Sequence, residues 1–459
     1  MLKKSTVIAD MRRTLLLALP LMAAQVLQMG NSFADALVAG RLGRVELAAG
    51  GIATSLFFFA SLACIGLTAG LSPTLSRMIG QGRRAYVGEV FRQGLYLGGA
   101  TGALAMLGLW VVYKSVPDWS FEPELIPLIQ DYLQVALWAL LPLGLFMACR
   151  NVLEATAWTG PVLMVQLIGL IVNVLGNLAF GLGYFGAPKL GLLGIGLSTL
   201  VVHLCILLVV VLILCHKKLH RYHLFERWSA VDFTVIGGML KLSVPIYVGM
   251  VFEAGLFLAT AIQMGMLGGL EAAAHYIAIN MAAFCYMLPL GLSFVLTARI
   301  GRAMGRQNPP VSIFLRLVSG SFVALIMVLC TMALLIFLRF PLTDLYGADE
   351  QVQALAANLL LLAALFQLSD SAQICLIGML RGLHDTFIPM VINAFSYWAV
   401  AFALGYYLAH HMGWRAYGFW TGLIVGLSLA SLLLGMRLRR VYREYQIEQT
   451  GGFKVKSHA

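Results

Sequence analysis

The sequence predicts an all-α integral membrane protein of twelve transmembrane helices, in two six-helix lobes related by a pseudo-twofold axis along the membrane normal. Three observations carry this expectation. Of 459 residues, 60% are hydrophobic and 11% charged, whereas soluble chains carry about 25% charged residues; a water-soluble enzyme is excluded. The apolar residues fall in runs of about 20, the length that crosses a bilayer as a helix. Finally, the first part of the chain recurs in the second.

The spans are expected at about 14–39, 47–76, 92–114, 127–152, 160–183 and 189–216, then at 239–266, 272–300, 312–338, 352–380, 386–410 and 414–436. Lipid offers no partner for peptide N–H and C=O groups, so each must be a helix. The short alternating segments of a membrane β-barrel are missing. Lys3 to Arg13 ahead of an apolar run imitate a signal peptide. That run continues through Gln25, Gln28 and Asp35, however, and its counterpart recurs where no signal could lie. Of the 31 Lys and Arg, only Arg41, Arg44, Lys114, Lys189, Arg339 and Arg415 fall in the odd-numbered loops. By the positive-inside rule both termini are cytoplasmic and the span count is even. The net charge of +11 thus reports membrane orientation, and nucleic acid is not an expected partner.

Sliding the chain by 225 residues aligns Pro20–Gly80 with Pro245–Gly305 without a gap. The identities include Pro20/Pro245, Gly30/Gly255, Gly40/Gly265, Glu46/Glu271, Gly66/Gly291 and Arg77/Arg302. Further on, Gly183-Tyr184, Gly191 and Thr199 match Gly405-Tyr406, Gly413 and Thr421 at an offset of 222. The expected organisation is an N-terminal lobe (1–216), a basic cytoplasmic linker (217–238), a C-terminal lobe (239–440) and a cytoplasmic tail (441–459). Six spans per copy make the repeats parallel. Such repeats place substrate sites near the midplane and rock to give alternating access.

Acidic side chains within the spans are few: Asp35 toward the outer end of the first, Glu253 in the middle of the seventh, Asp370 in the middle of the tenth. An Asp at the bilayer centre costs about 2.5–3.5 kcal/mol on insertion scales, so these residues need partners or a role. No Lys or Arg stands at comparable depth in the sequence, which implies an anionic cavity that receives external cations. Gln25, Gln28 and Asp35 follow one stripe of the first helix; Gln166, Asn173 and Asn177 share a face of the fifth; Gln367, Asp370 and Ser371 cluster on the tenth. Carboxylate and amide oxygens form a hard-ligand set suited to Na⁺, with a possible Na⁺ position at Glu253 and Asp370. A carboxylate shielded from water can instead carry a proton.

Other polar residues are expected to be structural. Asp385 reads as the N-cap of the eleventh helix, Glu154 as part of a cytoplasmic hairpin, and His216, His220 and His223 as a solvated loop. The seven cysteines read as small core residues. No GxxxxGK[ST], HExxH or GxSxG motif is present, so the energy source is an ion gradient rather than ATP, and the chain is not an enzyme.

The stretch Pro20-Leu-Met-Ala-Ala-Gln25, with Asp35-Ala-Leu-Val-Ala-Gly40 and Gln81-Gly82, resembles the first two helices of MATE (multidrug and toxic compound extrusion) transporters. Phe366-Gln-Leu-Ser-Asp370, ending in Leu380-Arg-Gly382, resembles their tenth helix, and Glu253 falls where the NorM branch has its seventh-helix acid. The resemblance covers essentially the whole chain. It implies a multi-pass bacterial inner-membrane antiporter, a monomer among membrane lipids, that exports lipophilic organic cations in exchange for Na⁺ or H⁺ and uses no other cofactor. By residue match, Glu253 and Asp370 form the cation site of the C-terminal lobe, and Asp35 with Asn173, Asn177 and Thr199 the network of the N-terminal lobe. Where some NorM-like members have Tyr four positions before the tenth-helix acid, this chain has Phe366, which keeps the ring face without the hydroxyl. With 21 Met and 25 Phe, a cavity of adaptable apolar side chains suits unlike drugs. The competing expectation is a flippase for lipid-linked oligosaccharides, which would need Arg or Lys inside to hold a pyrophosphate.

Overall fold

Every residue inside a bilayer must satisfy its backbone locally, and in the computed structural model nearly all of the chain does so in helices. The structure describes residues 4–226, 228–347 and 349–449. The helices are α1 (Lys4–Leu42), α2 (Arg44–Gly80, broken at Ala69–Gly70), α3 (Arg84–Asp118), α4 (Leu125–Ala155), α5 (Gly160–Gly181) and α6 (Leu192–Leu214). The second half repeats them as α7 (Phe233–Leu267), α8 (Gly269–Gly305), α9 (Pro310–Phe337), α10 (Glu350–Gly382), α11 (Phe387–His410) and α12 (Arg415–Gln449). Among the described residues, eleven segments, α2 to α12, are long and apolar enough to cross a membrane. α1 stands outside that set yet is one continuous helix of 39 residues, and it carries Gln25, Gln28, Asn31 and Asp35.

The chain forms two compact units. One is Ala23–Tyr247; the other joins the segment up to Met22 to Val248 and everything after it. The divisions fall inside α1 and α7, two residues past Pro20 and Pro245. Within the second unit the first half of α1 is held by charge: Asp10 accepts from Arg299 (Nη2, 2.5 Å) and from the Ser319 hydroxyl (2.5 Å), and Arg299 also donates to Thr14. Within the first unit the first half of α7 is held by close packing: Gly70 N–H donates to the buried Ser243 hydroxyl (2.9 Å), and a Cβ on Gly66 would strike the Tyr247 backbone.

Helices in lipid gain nothing from burying oil against oil, so they associate where small residues let backbones touch. Gly94, Gly98 and Gly102 make such a stripe on α3. A Cβ on Gly98 would run into the Gly144 carbonyl of α4, and one on Gly144 into the Gly98 carbonyl. Gly418, Gly422 and Gly426 of α12 lie in the same way on Ala409, Ala401 and Gly405 of α11. Gly144→Val is therefore expected to cost about 3 kcal/mol or more through overpacking, checked as a fall in the melting temperature of the purified protein in detergent.

The duplication is visible in the bends. Positive φ recurs at Gly43 and Gly268, Gly82 and Gln307, Ala157 and His384, and Gly191 and Gly413. It is visible also in the fifth and eleventh helices, which both contain a π-helical stretch, Asn177–Gly181 and Phe395–Phe402. The linker is bolted to α3: Arg92 donates to the His223 carbonyl (2.9 Å) and Gln93 to that of Ala230 (2.8 Å), while Asp232 N–H donates to Gln93 (2.9 Å). His216, His220 and His223 are exposed there.

Two expectations are corrected. Asp385 does not cap α11; it pairs with Arg437 of α12 (2.6 Å), and the N-cap residue is Thr386, whose side chain makes no cap bond. Cysteine placement is mixed: Cys64, Cys149, Cys285 and Cys375 are buried, but Cys215 and Cys330 are exposed. In a bilayer protein the apolar outer surface is as natural a place for a thiol as the core.

Candidate functional site

In the unit Ala23–Tyr247, α1 and α5 bring three of the expected residues together. Asp35 Oδ1 accepts from Asn173 Nδ2 (2.9 Å) and from Asn177 Nδ2 (2.6 Å). The amides are one turn apart, so both reach the same carboxylate. Asn177 opens the π-helical stretch, a device often found at functional sites, and its Oδ1 is buried without a hydrogen-bond partner. Gly176 and the bond from Ser198 to the Asn173 carbonyl (3.2 Å) hold α5 against α6. Thr199 turns its hydroxyl to the Ile195 carbonyl (3.1 Å) and to the buried Tyr132 hydroxyl (3.4 Å), and Tyr132 is an electrostatic neighbour of Asp35. Tyr132 was not foreseen; nothing in its position on an apolar run distinguishes it from a core tyrosine.

Gln28 does not join that cluster. Gln25 and Gln28 accept from the Arg150 guanidinium of α4 (2.5 and 3.3 Å), which is also paired through Nε with Glu154 (2.9 Å). Arg150 and Glu154 are each only 5% exposed. Glu154 lies in the last turn of α4, beside the turn into α5, and is buried there with Arg150. The bridge between them is what allows that helix end to be buried.

In the other unit, Glu253 of α7 accepts from the Tyr286 hydroxyl of α8 (3.3 Å). Asp370 of α10 is buried, is an electrostatic neighbour of Glu253, and receives no hydrogen bond among the described residues. Tyr397, on the π-helical stretch of α11, is a neighbour of both acids and accepts from Gln373 Nε2. On α10 and α11, Gln367 Oε1, Ser371 Oγ, Gln373 Oε1, Asn393 Oδ1 and Ser396 Oγ are buried without a hydrogen-bond partner. Two expected members point elsewhere. Gln367 donates to the Ala282 carbonyl (2.6 Å), and Phe366 is core, edge-on to Phe257 and Trp420 with centroids 6.1 and 5.9 Å away.

A second cation lies within reach of Glu253 from the end of the helix. Arg381, in the last turn of α10, interacts electrostatically with Glu253, Tyr286 and Tyr397. The duplication could have disclosed it. An offset of 225 sets Gln28 opposite Glu253, and one of 227, which also pairs Ala157 with His384 and Thr159 with Thr386, sets Glu154 opposite Arg381.

Two repeated groups of apolar helices, each enclosing ionisable and amide side chains on the first, fourth and fifth helix of its half, define a polytopic membrane carrier. The chain belongs to the MatE family, whose model matches residues 20–179 and 245–407. It is 36% identical over 443 residues to the "Probable multidrug resistance protein NorM" of Shewanella oneidensis, covering 94% of this chain and 95% of that one. It is 35% identical over 440 residues to the protein of the same name from Xanthomonas axonopodis pv. citri, covering 95% of each. The fold is shared with the eukaryotic MATE transporter AtDTX14 (TM-score 0.86, 16% identity, 97% of this chain and 100% of that one). It is shared also with the Vibrio cholerae MATE transporter VcmN in its bent form (TM-score 0.84, 16% identity, 97% and 99%).

Proposed function

We propose that this chain is a multidrug efflux antiporter that exports lipophilic organic cations in exchange for Na⁺ or H⁺ by alternating access. The family and the NorM relatives support export of small organic molecules. The observation that carries the exchange is the pair Glu253 and Asp370, two neighbouring acids on apolar helices, of which Asp370 is buried and receives no hydrogen bond among the described residues. Two like charges so placed favour a further cation beside them. A drug cation and a coupling ion are therefore alternative occupants, and the entry of one releases the other. Asp35, held by Asn173 and Asn177, is a third exchangeable group. On this reading the protein works as a monomer in the bacterial inner membrane with both termini in the cytoplasm.

The test is purified protein in liposomes loaded with ethidium, with Na⁺ and pH gradients imposed separately. Ethidium is expected to move uphill under at least one of them; equilibration without concentration under both would leave a passive channel. The flippase alternative finds less support, because the relatives of highest similarity reported above are named as multidrug resistance proteins.

A further inference from the structure

We infer that Arg381 is a release charge, a fixed cation that weakens the hold of Glu253 on its drug so that the drug can leave. The inference rests on the reading of Glu253 as the drug-binding carboxylate. Arg381 lies eleven residues, three helical turns, after Asp370, and so on the same face of α10. Its electrostatic neighbours are Glu253, Tyr286 and Tyr397, the group around the acid, yet no ion pair joins it to Glu253. Its Nε is buried without a hydrogen-bond acceptor.

The equivalent corner of the other half shows what a purely structural arginine looks like. There Arg150 is saturated by Glu154, Gln25 and Gln28, with its charge cancelled on the spot. Across the repeat, Arg381 stands opposite Glu154 and Glu253 opposite Gln28. The result is a guanidinium close to the acid but not spent on it. Its field acts on whatever cation Glu253 receives, and in a low-dielectric interior such a repulsion is worth about tenfold or more in an equilibrium constant. Arginine suits the role because it cannot escape by losing a proton. A carrier must let go as well as bind. A bare carboxylate in apolar surroundings would hold a lipophilic cation too long.

The experiment uses full-length protein carrying Arg381→Met or Arg381→Lys, with ethidium affinity measured by fluorescence anisotropy in detergent and maximal efflux in liposomes. Arg381→Met is expected to bind ethidium about tenfold more tightly while its maximal efflux falls, and Arg381→Lys to bring both back toward the parent values. Damage to packing would weaken binding instead. Unchanged or weaker affinity in an Arg381→Met protein of parental melting temperature overturns the proposal; should that variant not fold, Arg381→Gln, which keeps hydrogen-bonding capacity without charge, gives the same readout. Glu253→Gln separates the two ideas. If it leaves ethidium affinity unaltered, the assignment of Glu253 has failed; if it loses affinity while Arg381→Met gains none, the release charge alone has failed.

Discussion

Glu253→Gln and Asp370→Asn are each expected to reduce gradient-driven ethidium export to background, a loss of about 100-fold or more, with the protein still made and inserted. Both changes preserve shape and remove charge. A neutral amide can still accept the Tyr286 hydroxyl that reaches Glu253 at 3.3 Å, so folding is spared. It cannot compensate a cation in a medium where an unpaired charge costs several kcal/mol. With either acid neutral, arrival of the coupling ion no longer competes with the drug, and exchange loses its drive. Efflux from proteoliposomes, normalised to the amount of each variant, is the measurement. Undiminished export in both would refute the assignment.

The second large effect concerns stability. Arg150→Met leaves Glu154 buried without its partner and frees the amide oxygens of Gln25 and Gln28. Removing one member of a buried pair costs about 3–5 kcal/mol. Arg150→Met is therefore expected to melt well below the parent in detergent, and Arg150→Met with Glu154→Leu to recover much of the loss, because the orphaned charge goes too. A single variant as stable as the parent, or a double variant worse than the single, would show that the bridge is idle.

Much of the architecture was readable because a bilayer leaves the backbone so few options. Apolar runs became helices at the expected places, and the gapless match of Pro20–Gly80 to Pro245–Gly305 anticipated paired bends such as Gly43 and Gly268. Helix ends were less readable. Lipid dictates where apolar residues must be, not where a helix stops in water, so α1 already runs from Lys4 and α12 continues to Gln449. In the candidate site, spacing put Asn173 and Asn177 on one face of the fifth helix, and the family resemblance joined them to Asp35, which accepts from both. The partners of Gln28 and Gln367 were not legible, because periodicity names a helix face and leaves open which neighbour lies against it. Arg150 and Arg381 were passed over for a related reason. Each stands near the end of its helix, where a charge ordinarily meets water, and only tertiary packing reveals that Arg150 is buried and Arg381 partly so.

The eight matched bends have a counterpart in what failed to be copied. Backbone corners survived the doubling of the gene, whereas Gln28 faces Glu253 and Glu154 faces Arg381 across it. Path of the chain and placement of ionised groups have thus drifted independently. A protein assembled from two copies of one half would keep the four shared corners and still lack either Asp35 with its amides or the acids of the other half.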